Sequence, residues 1–371
     1  MRLGLVVYGS LDQTSGGFRY DRKLVEYLRD QGDTVEVISL PWRAYWRNVA
    51  AGFSPTLQRR LDRPFDVLVQ DELCHPTLWG TNRWLTRPTA TVALVHHVQS
   101  DDGQTRPGGL GRWIERQYLD SVDGWVATSE FTRQRAQAVA STLPEAVVAP
   151  PAGRAEGQAV TEEMVRIRAT EEPLQILYVG SIVARKALLT LLSALGRLST
   201  DIAENPDWQL TVVGGEPEPA YADEARKKAA TLGIDDQVEF VGKLSDEELA
   251  GRFEASHVLC VPSRYEGFGM VYLEAMEYGV VPIASANGGA GEFIIDCDNG
   301  ALVKPGDADR IASLLSEWAD DRKQLADLGV AALETAAAHP SWDDTLADVR
   351  SLLVRLADAS TTETDTPHTN P

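Results

Sequence analysis

With 371 residues, 43% of them hydrophobic, the chain is long for one domain and has the apolar content for two cores. Its net charge of −20 at pH 7 argues against nucleic-acid binding, which needs a cationic face. It holds no apolar run long enough to cross a bilayer, and Cys74, Cys260 and Cys297 have the spacing of neither a disulfide framework nor a metal knuckle.

A reducing, cytoplasmic setting is the expectation that follows. Among the cations, 28 arginines stand against 7 lysines, and on so acidic a chain this points to a halophilic source, because a strongly charged surface keeps a protein soluble at high salt. A thermal midpoint that rises with KCl is the expected behaviour; indifference up to molar salt would contradict it.

Leu3 to Tyr8 reads as a buried parallel strand, a first strand in place of a signal peptide. A loop with Gly16-Gly17 follows, then a helix from Phe18 to Gln31 with Leu24, Val25 and Leu28 on one face, stopped by Gly32. Thr34 to Leu40 is the second strand. The glycine pair thus falls between a strand end and a helix start, where α/β sheets bind ligands. Its spacing is not Gly-x-Gly-x-x-Gly, and a plain turn is the alternative.

Residues 42–63 carry five arginines and one aspartate among Trp42, Tyr45, Trp46 and Phe53. Such a stretch suits an anionic membrane surface or an acceptor, or packs on its own domain. Asp66 to Gln70 is the next strand, followed by Asp71-Glu72. Ala90 to Val95 ends in His96-His97, and adjacent histidines on extended backbone point opposite ways, which makes them poor co-ligands for one metal. A strand-end histidine suits a cleft or a structural role. Gly124 to Ala127 leads through Ser129-Glu130 into a helix start. The prolines and glycines of 144–173 mark a linker, placed at 151–173, between domains at 1–150 and 174–340.

A second series opens with the stretch Leu174 to Ser181. Arg185-Lys186 stands just before a helix through Leu188, Leu189, Leu192 and Leu195, where a lysine can neutralise a diphosphate as a point charge. A solvated pair is the alternative. Gln209 to Val213, a helix from Ala220 to Leu232, and Val238 to Gly242 come next, then Leu244 and the capping box Ser245-x-x-Glu248.

Behind the strand Val258 to Val261, a helix starting near Phe268 or Gly269 and ending at Gly279 presents bare N–H groups to an anion. Helical side chains lean toward the N-terminus, so Glu274 points back to that mouth while Glu266 faces it from the loop. An anion there would lie between two carboxylates able to accept from sugar hydroxyls. A capped surface helix with two solvated glutamates is the alternative. Val280 to Ala284 ends at Gly288-Gly289-Ala290-Gly291-Glu292. Asp296-Cys297-Asp298 precedes the turn signal Asn299-Gly300 and reads as loop, with no metal site. Helices over Asp307 to Trp318, 321–338 and Trp342 to Leu356 follow, and the polar tail 359–371 is expected to be disordered.

The spacing from Glu266 to Glu274, with Gly267-Phe268-Gly269 inside it, resembles the Glu-x7-Glu signature of the retaining glycosyltransferases of family 4. The Gly16-Gly17 loop, the strand-end histidine and Lys186 occur in matching order, so the resemblance spans nearly the whole chain. It implies an α/β protein of GT-B architecture, with two facing doubly wound, Rossmann-like domains. The N-terminal one is on the acceptor side, the C-terminal one binds a nucleotide-sugar, and the helix 341–358 crosses back to the first.

The reaction implied moves a hexosyl group from a nucleotide-diphosphate sugar to the hydroxyl of a glycan, lipid-linked or small-molecule acceptor. Retention by a front-face route, without metal or cofactor, is the family expectation. By the same resemblance Glu266 contacts the donor sugar, Glu274 the ribose, and backbone N–H groups at Phe268, Gly269 and Met270 the phosphates. Lys186 stabilises the departing diphosphate, His96 (with His97 as second choice) faces the donor sugar, and the Leu244 loop meets the base. Gly16 and Gly17 let donor phosphate or acceptor approach. Ser181 stands where the family shows Arg, with Arg185 the nearest replacement, and Gly291 replaces Pro in the Gly-Gly-x-Pro-Glu turn. The rivals are a nucleotide-sugar epimerase, which forms epimer without an acceptor, and a non-catalytic nucleotide-sugar sensor.

Overall fold

Strands covered on both faces by helices read as continuous apolar runs, and the chain folds its runs into two parallel sheets. The computed structural model describes residues 1–13, 15–101, 108–154, 160–201 and 207–363. They form two units, Met1–Pro151 with Pro340–Pro371, and Ala152–His339.

In the first unit the strands are β1 (Arg2–Tyr8), β2 (Thr34–Leu40), β3 (Val67–Asp71), β4 (Ala90–Val95), β5 (Gly124–Ala127) and β6 (Glu145–Val148), in the order β2-β1-β3-β4-β5-β6. Leu3 pairs in register with Val35 on one side and Val67 on the other. The order reverses between β1 and β3, which opens a crevice at their C-terminal ends.

The helix after β1 spans Gly16–Asp30, so Gly16-Gly17 lies in its first turn and not in the preceding loop. Ser15 explains the early start: its hydroxyl accepts from the Phe18 N–H as an N-cap. Residues 42–63 form two short helices, Tyr45–Ala51 and Pro55–Leu61, the second capped by Ser54 with Pro55 in its first turn.

The last helix, Trp342–Glu363, runs past the expected end at 358, so 359–363 is helix and not tail. Leu346, Val349, Leu352, Leu353 and Leu356 bury one face of it among the residues of β1, β3 and β4, each contributing roughly 1.5–3 kcal/mol. Arg350 also pairs with the buried Asp33 at 2.8 Å. With that much of the helix anchored, adding further turns needs no new nucleus. Residues 364–371 of the expected tail lie outside the described residues.

In the second unit the strands are β7 (Leu174–Val179), β8 (Trp208–Val213), β9 (Val238–Gly242), β10 (Val258–Val261), β11 (Val281–Ser285) and β12 (Ala301–Val303), in the order β12-β11-β10-β7-β8-β9. Here the reversal falls between β7 and β10, so the connections leaving these two strands flank one crevice. The expected linker 151–173 is only partly irregular. Glu162–Ala169 is a helix capped by Thr161, with Val165 and Ala169 buried. Val165 lies where a side chain on Gly329 would come within 2.8 Å of it, so the helix belongs to the packing of this unit. Residues 155–159 lie outside the described residues.

Asp296-Cys297-Asp298 sits in a tight turn. Asp296 accepts from the Leu302 N–H at 3.0 Å, and Asn299 accepts from the Ile295 N–H at 2.7 Å.

Candidate functional site

The crevice of the second unit brings together residues eighty apart in the chain. Lys186 follows β7 in a single 3-10 turn, Ala184–Lys186, and Glu266 follows β10. Lys186 Nζ donates to Glu266 Oε2 at 2.5 Å, Ser263 Oγ donates to the same oxygen at 3.2 Å, and Arg185 Nη1 lies 3.6 Å from it. Arg185 also donates to the Tyr265 carbonyl at 2.9 Å, which fixes its guanidinium beside the pair. Ser181, where the resemblance leads one to expect Arg, is exposed, and its carbonyl accepts from Tyr178.

Burial acts to raise the Glu266 carboxyl, but the Lys186 ammonium and the Arg185 guanidinium outweigh it and hold it at about 2. Burial, and after it the neighbouring Arg185 charge, pull Lys186 below the usual lysine range, with Glu266 opposing. The result is a nearly enclosed ion pair at the end of two adjacent strands.

The helix mouth beside it begins two residues later than the earliest expected start, at Met270–Met276. Gly269 caps it with φ +94°, a conformation other residues rarely adopt, and a side chain there would meet the Tyr272 ring at 2.5 Å. Gly288 abuts Glu266 from the other side, where a side chain would come within 2.5 Å of the Glu266 carbonyl. Phe268 is buried, its ring 5.0 Å from that of Phe293. Leu244 is half-buried in the loop after β9, two strands from the crevice, against the core.

Glu274 departs from expectation. It does not lie open at the mouth: it is 4% exposed and pairs with Arg154, Nε to Oε1 at 3.3 Å. A carboxylate that deep needs a counter-charge, and the segment after Pro151 supplies it. Arg154 also pairs with Asp246, and its backbone N–H donates to Glu277 Oε2 at 2.7 Å.

The first unit gathers a second set of groups at the ends of β1, β3 and β4. Gly17 packs on His96, where a side chain would come 3.2 Å from the ring, and Tyr20 meets that ring edge-on at 5.5 Å. His96 Nε2 lies 3.2 Å from Asp21 Oδ1, and its backbone N–H donates to Glu72 Oε2 at 3.0 Å. His97 Nδ1 lies 3.1 Å from Glu72 Oε1. The two rings thus turn to different carboxylates, as extended backbone requires.

Asp21, Asp71 and Glu72 are buried. Burial pushes Asp21 up to about 8 and Glu72 to about 7, with His96 opposing at Glu72, while burial and the Glu72 charge carry Asp71 well above the carboxylate range. One donor atom each from Asp21, Asp71 and His96 lies within 4.8 Å of the others. Carboxylates so close can share a cation or a proton. Asp21 is the group the residue pattern hides. It occupies an inward position among Phe18, Leu24, Val25 and Leu28, and a carboxylate on an apolar face is the one signal that marks it.

Residues 160–335 match the family model described as "Glycosyl transferases group 1". The chain is 29% identical over 256 residues to the GDP-mannose-dependent alpha-(1-6)-phosphatidylinositol monomannoside mannosyltransferase of Mycobacterium tuberculosis, a match covering 66% of this chain and 65% of that protein. It is 31% identical over 279 residues to the D-inositol 3-phosphate glycosyltransferase of Streptomyces avermitilis, covering 71% of this chain and 58% of that protein. The chain thus spans less than two thirds of the length of these two relatives.

Among solved structures, sucrose-phosphate synthase from Thermosynechococcus elongatus superposes with a TM-score of 0.79 at 22% identity, covering 96% of this chain and 99% of that one. The Anabaena protein HepE in complex with UDP-glucose gives 0.74 at 15% identity, covering 95% of this chain and 100% of that one. Both sheets and their strand orders belong to the GT-B fold.

Proposed function

We propose that the chain is a retaining, metal-independent glycosyltransferase of family 4, moving a hexosyl group from a nucleotide-diphosphate sugar to an acceptor hydroxyl. The observation that carries this reading is the Lys186–Glu266 pair, enclosed at the crevice between β7 and β10 and beside a glycine-opened helix mouth. The matches to glycosyltransferases by sequence support it.

In the resting chain the Lys186 charge is balanced by Glu266. A donor diphosphate entering the crevice brings a second anion to that ammonium, and the N–H groups at Gly269 and Met270 share the load. Negative charge grows on the diphosphate as the glycosidic bond breaks, so donors already in place favour the transition state over the ground state. Glu266, released in part from Lys186, accepts from hydroxyls of the sugar. Glu274 accepts from the ribose. The resemblance assigns His96 to the donor sugar, and within its own unit Asp21 lies 3.2 Å from its Nε2. No metal is assigned to the diphosphate, since Lys186, Arg185 and the backbone supply the positive field.

The donors to try first are GDP-mannose, named for one relative, and UDP-glucose, bound in one fold neighbour. The acceptors to try are inositol phosphates and lipid-linked glycans. Trp42, Trp46 and Phe53 are 62%, 50% and 61% exposed beside Arg43, Arg47, Arg59 and Arg60, which supports peripheral contact with an anionic membrane on its cytoplasmic face. No helix among the described residues is long and apolar enough to cross a membrane. The testing experiment is transfer of labelled sugar to these acceptors with EDTA present. Product with the donor's anomeric configuration is expected. Activity that appears only with added metal, or epimer formed without acceptor, would overturn the reading.

A further inference from the structure

Arg154 reaches Glu274 from outside the helix that carries it. Asp246, its other partner, is 85% exposed, so that ion pair is screened by water and contributes little. Glu274 has a side chain only 6% exposed, so its contact with Arg154 is the desolvated one.

Buried ion pairs are poor stabilisers, and apolar residues of similar size often serve a fold as well or better. A glutamate kept at this depth, with an arginine brought to it, therefore points to use beyond packing. The arginine is delivered by an anchored backbone. Its own N–H donates to Glu277 Oε2 at 2.7 Å, and Gly153 lies so close to the Glu277 carboxylate that a side chain there would collide with it. The guanidinium is thus set in place independently of any ligand.

We propose that Arg154 is the positioning residue for Glu274, holding the carboxylate oriented to accept from the ribose hydroxyls of the bound nucleotide. The inference rests on the donor reading above. It adds a residue that the Glu-x7-Glu spacing does not contain and assigns it to ribose recognition alone.

Calorimetric titration of the full chain with GDP, UDP and their 2′,3′-dideoxy forms separates the possibilities. Arg154→Met should weaken the preferred ribonucleotide about tenfold, as expected for losing support to one charged hydrogen bond, and leave the dideoxy form unchanged. Arg154→Lys should recover part of the loss, and Arg154→Met should have no further effect in a Glu274→Gln background. Equal loss for both nucleotide forms would overturn the inference by making Arg154 a brace for the fold. Tighter ribonucleotide binding would overturn it by making Arg154 a plug. If Arg154→Met does not fold, the ribose discrimination of Arg154→Lys decides by the same criterion. A wild type that binds no nucleotide would overturn the donor reading itself, and this inference with it.

Discussion

Lys186 and Glu266 stand eighty residues apart and meet at 2.5 Å, each with a side chain no more than 14% exposed. Strand order brings them together, because β7 and β10 are neighbours at the reversal of the sheet. The pair links the lysine proposed to stabilise the leaving group with the carboxylate proposed to hold the sugar.

Lys186→Met should lower the turnover of transfer by about a hundredfold or more, the usual effect of deleting a pre-placed charge donor. It should also cost roughly 1–3 kcal/mol of stability, because Glu266 keeps its burial and loses its closest partner. Adding Glu266→Gln should restore the melting temperature and not the activity. Near-normal turnover in Lys186→Met would remove the assigned role.

The pH dependence of stability follows from Glu266. Its carboxyl is held at about 2, below the ordinary 4.5, so between those values the unfolded chain binds the extra proton. The stability it contributes is fully present above pH 4.5 and is lost as pH falls through 2. Glu266→Gln should flatten that acid limb in urea titrations across this window. An acid limb identical to wild type would contradict the ion pair.

Asp21 has the opposite sign. Its carboxyl is raised from 3.8 to about 8, so the folded state keeps a proton that the unfolded state gives up, and stability falls as pH rises through that interval. Asp21→Asn has no such proton, and its stability relative to wild type should grow steadily from pH 4 to pH 8. Parallel profiles would mean that Asp21 is ionised in the fold as it is in the unfolded chain.

Residues 42–63 give a membrane prediction. Wild-type protein should float with anionic vesicles at low salt, and a Trp42→Ala/Trp46→Ala variant should lose most of that binding, since both aromatic rings stand out from the protein. Equal flotation of wild type and variant would assign the rings to another contact.

Much of the fold is legible in the residues because parallel strands announce themselves as apolar runs. Thr34–Leu40 and Ala90–Val95 begin and end where that pattern does. The capping box at Ser245 and Glu248 forms as its spacing predicts. What stays hidden depends on partners distant in the chain. Helical geometry aims Glu274 at the helix mouth, but nothing local to 266–274 reveals that Arg154 covers it. The linker composition around Pro150-Pro151 conceals the helix Glu162–Ala169, whose stability comes from Val165 and Ala169 packing on the second unit. Asp71 and Glu72 read as polar strand-end residues, and only the sheet order places them beside His96 and Asp21.

The most direct test of the account is a metal-free thermal-shift panel of UDP-, GDP- and ADP-sugars on wild type, Lys186→Met and Glu274→Gln. The account predicts that one nucleotide-sugar raises the wild-type melting temperature and that both variants lose most of the shift. A wild type stabilised by none of them, at low and at molar salt, would contradict it.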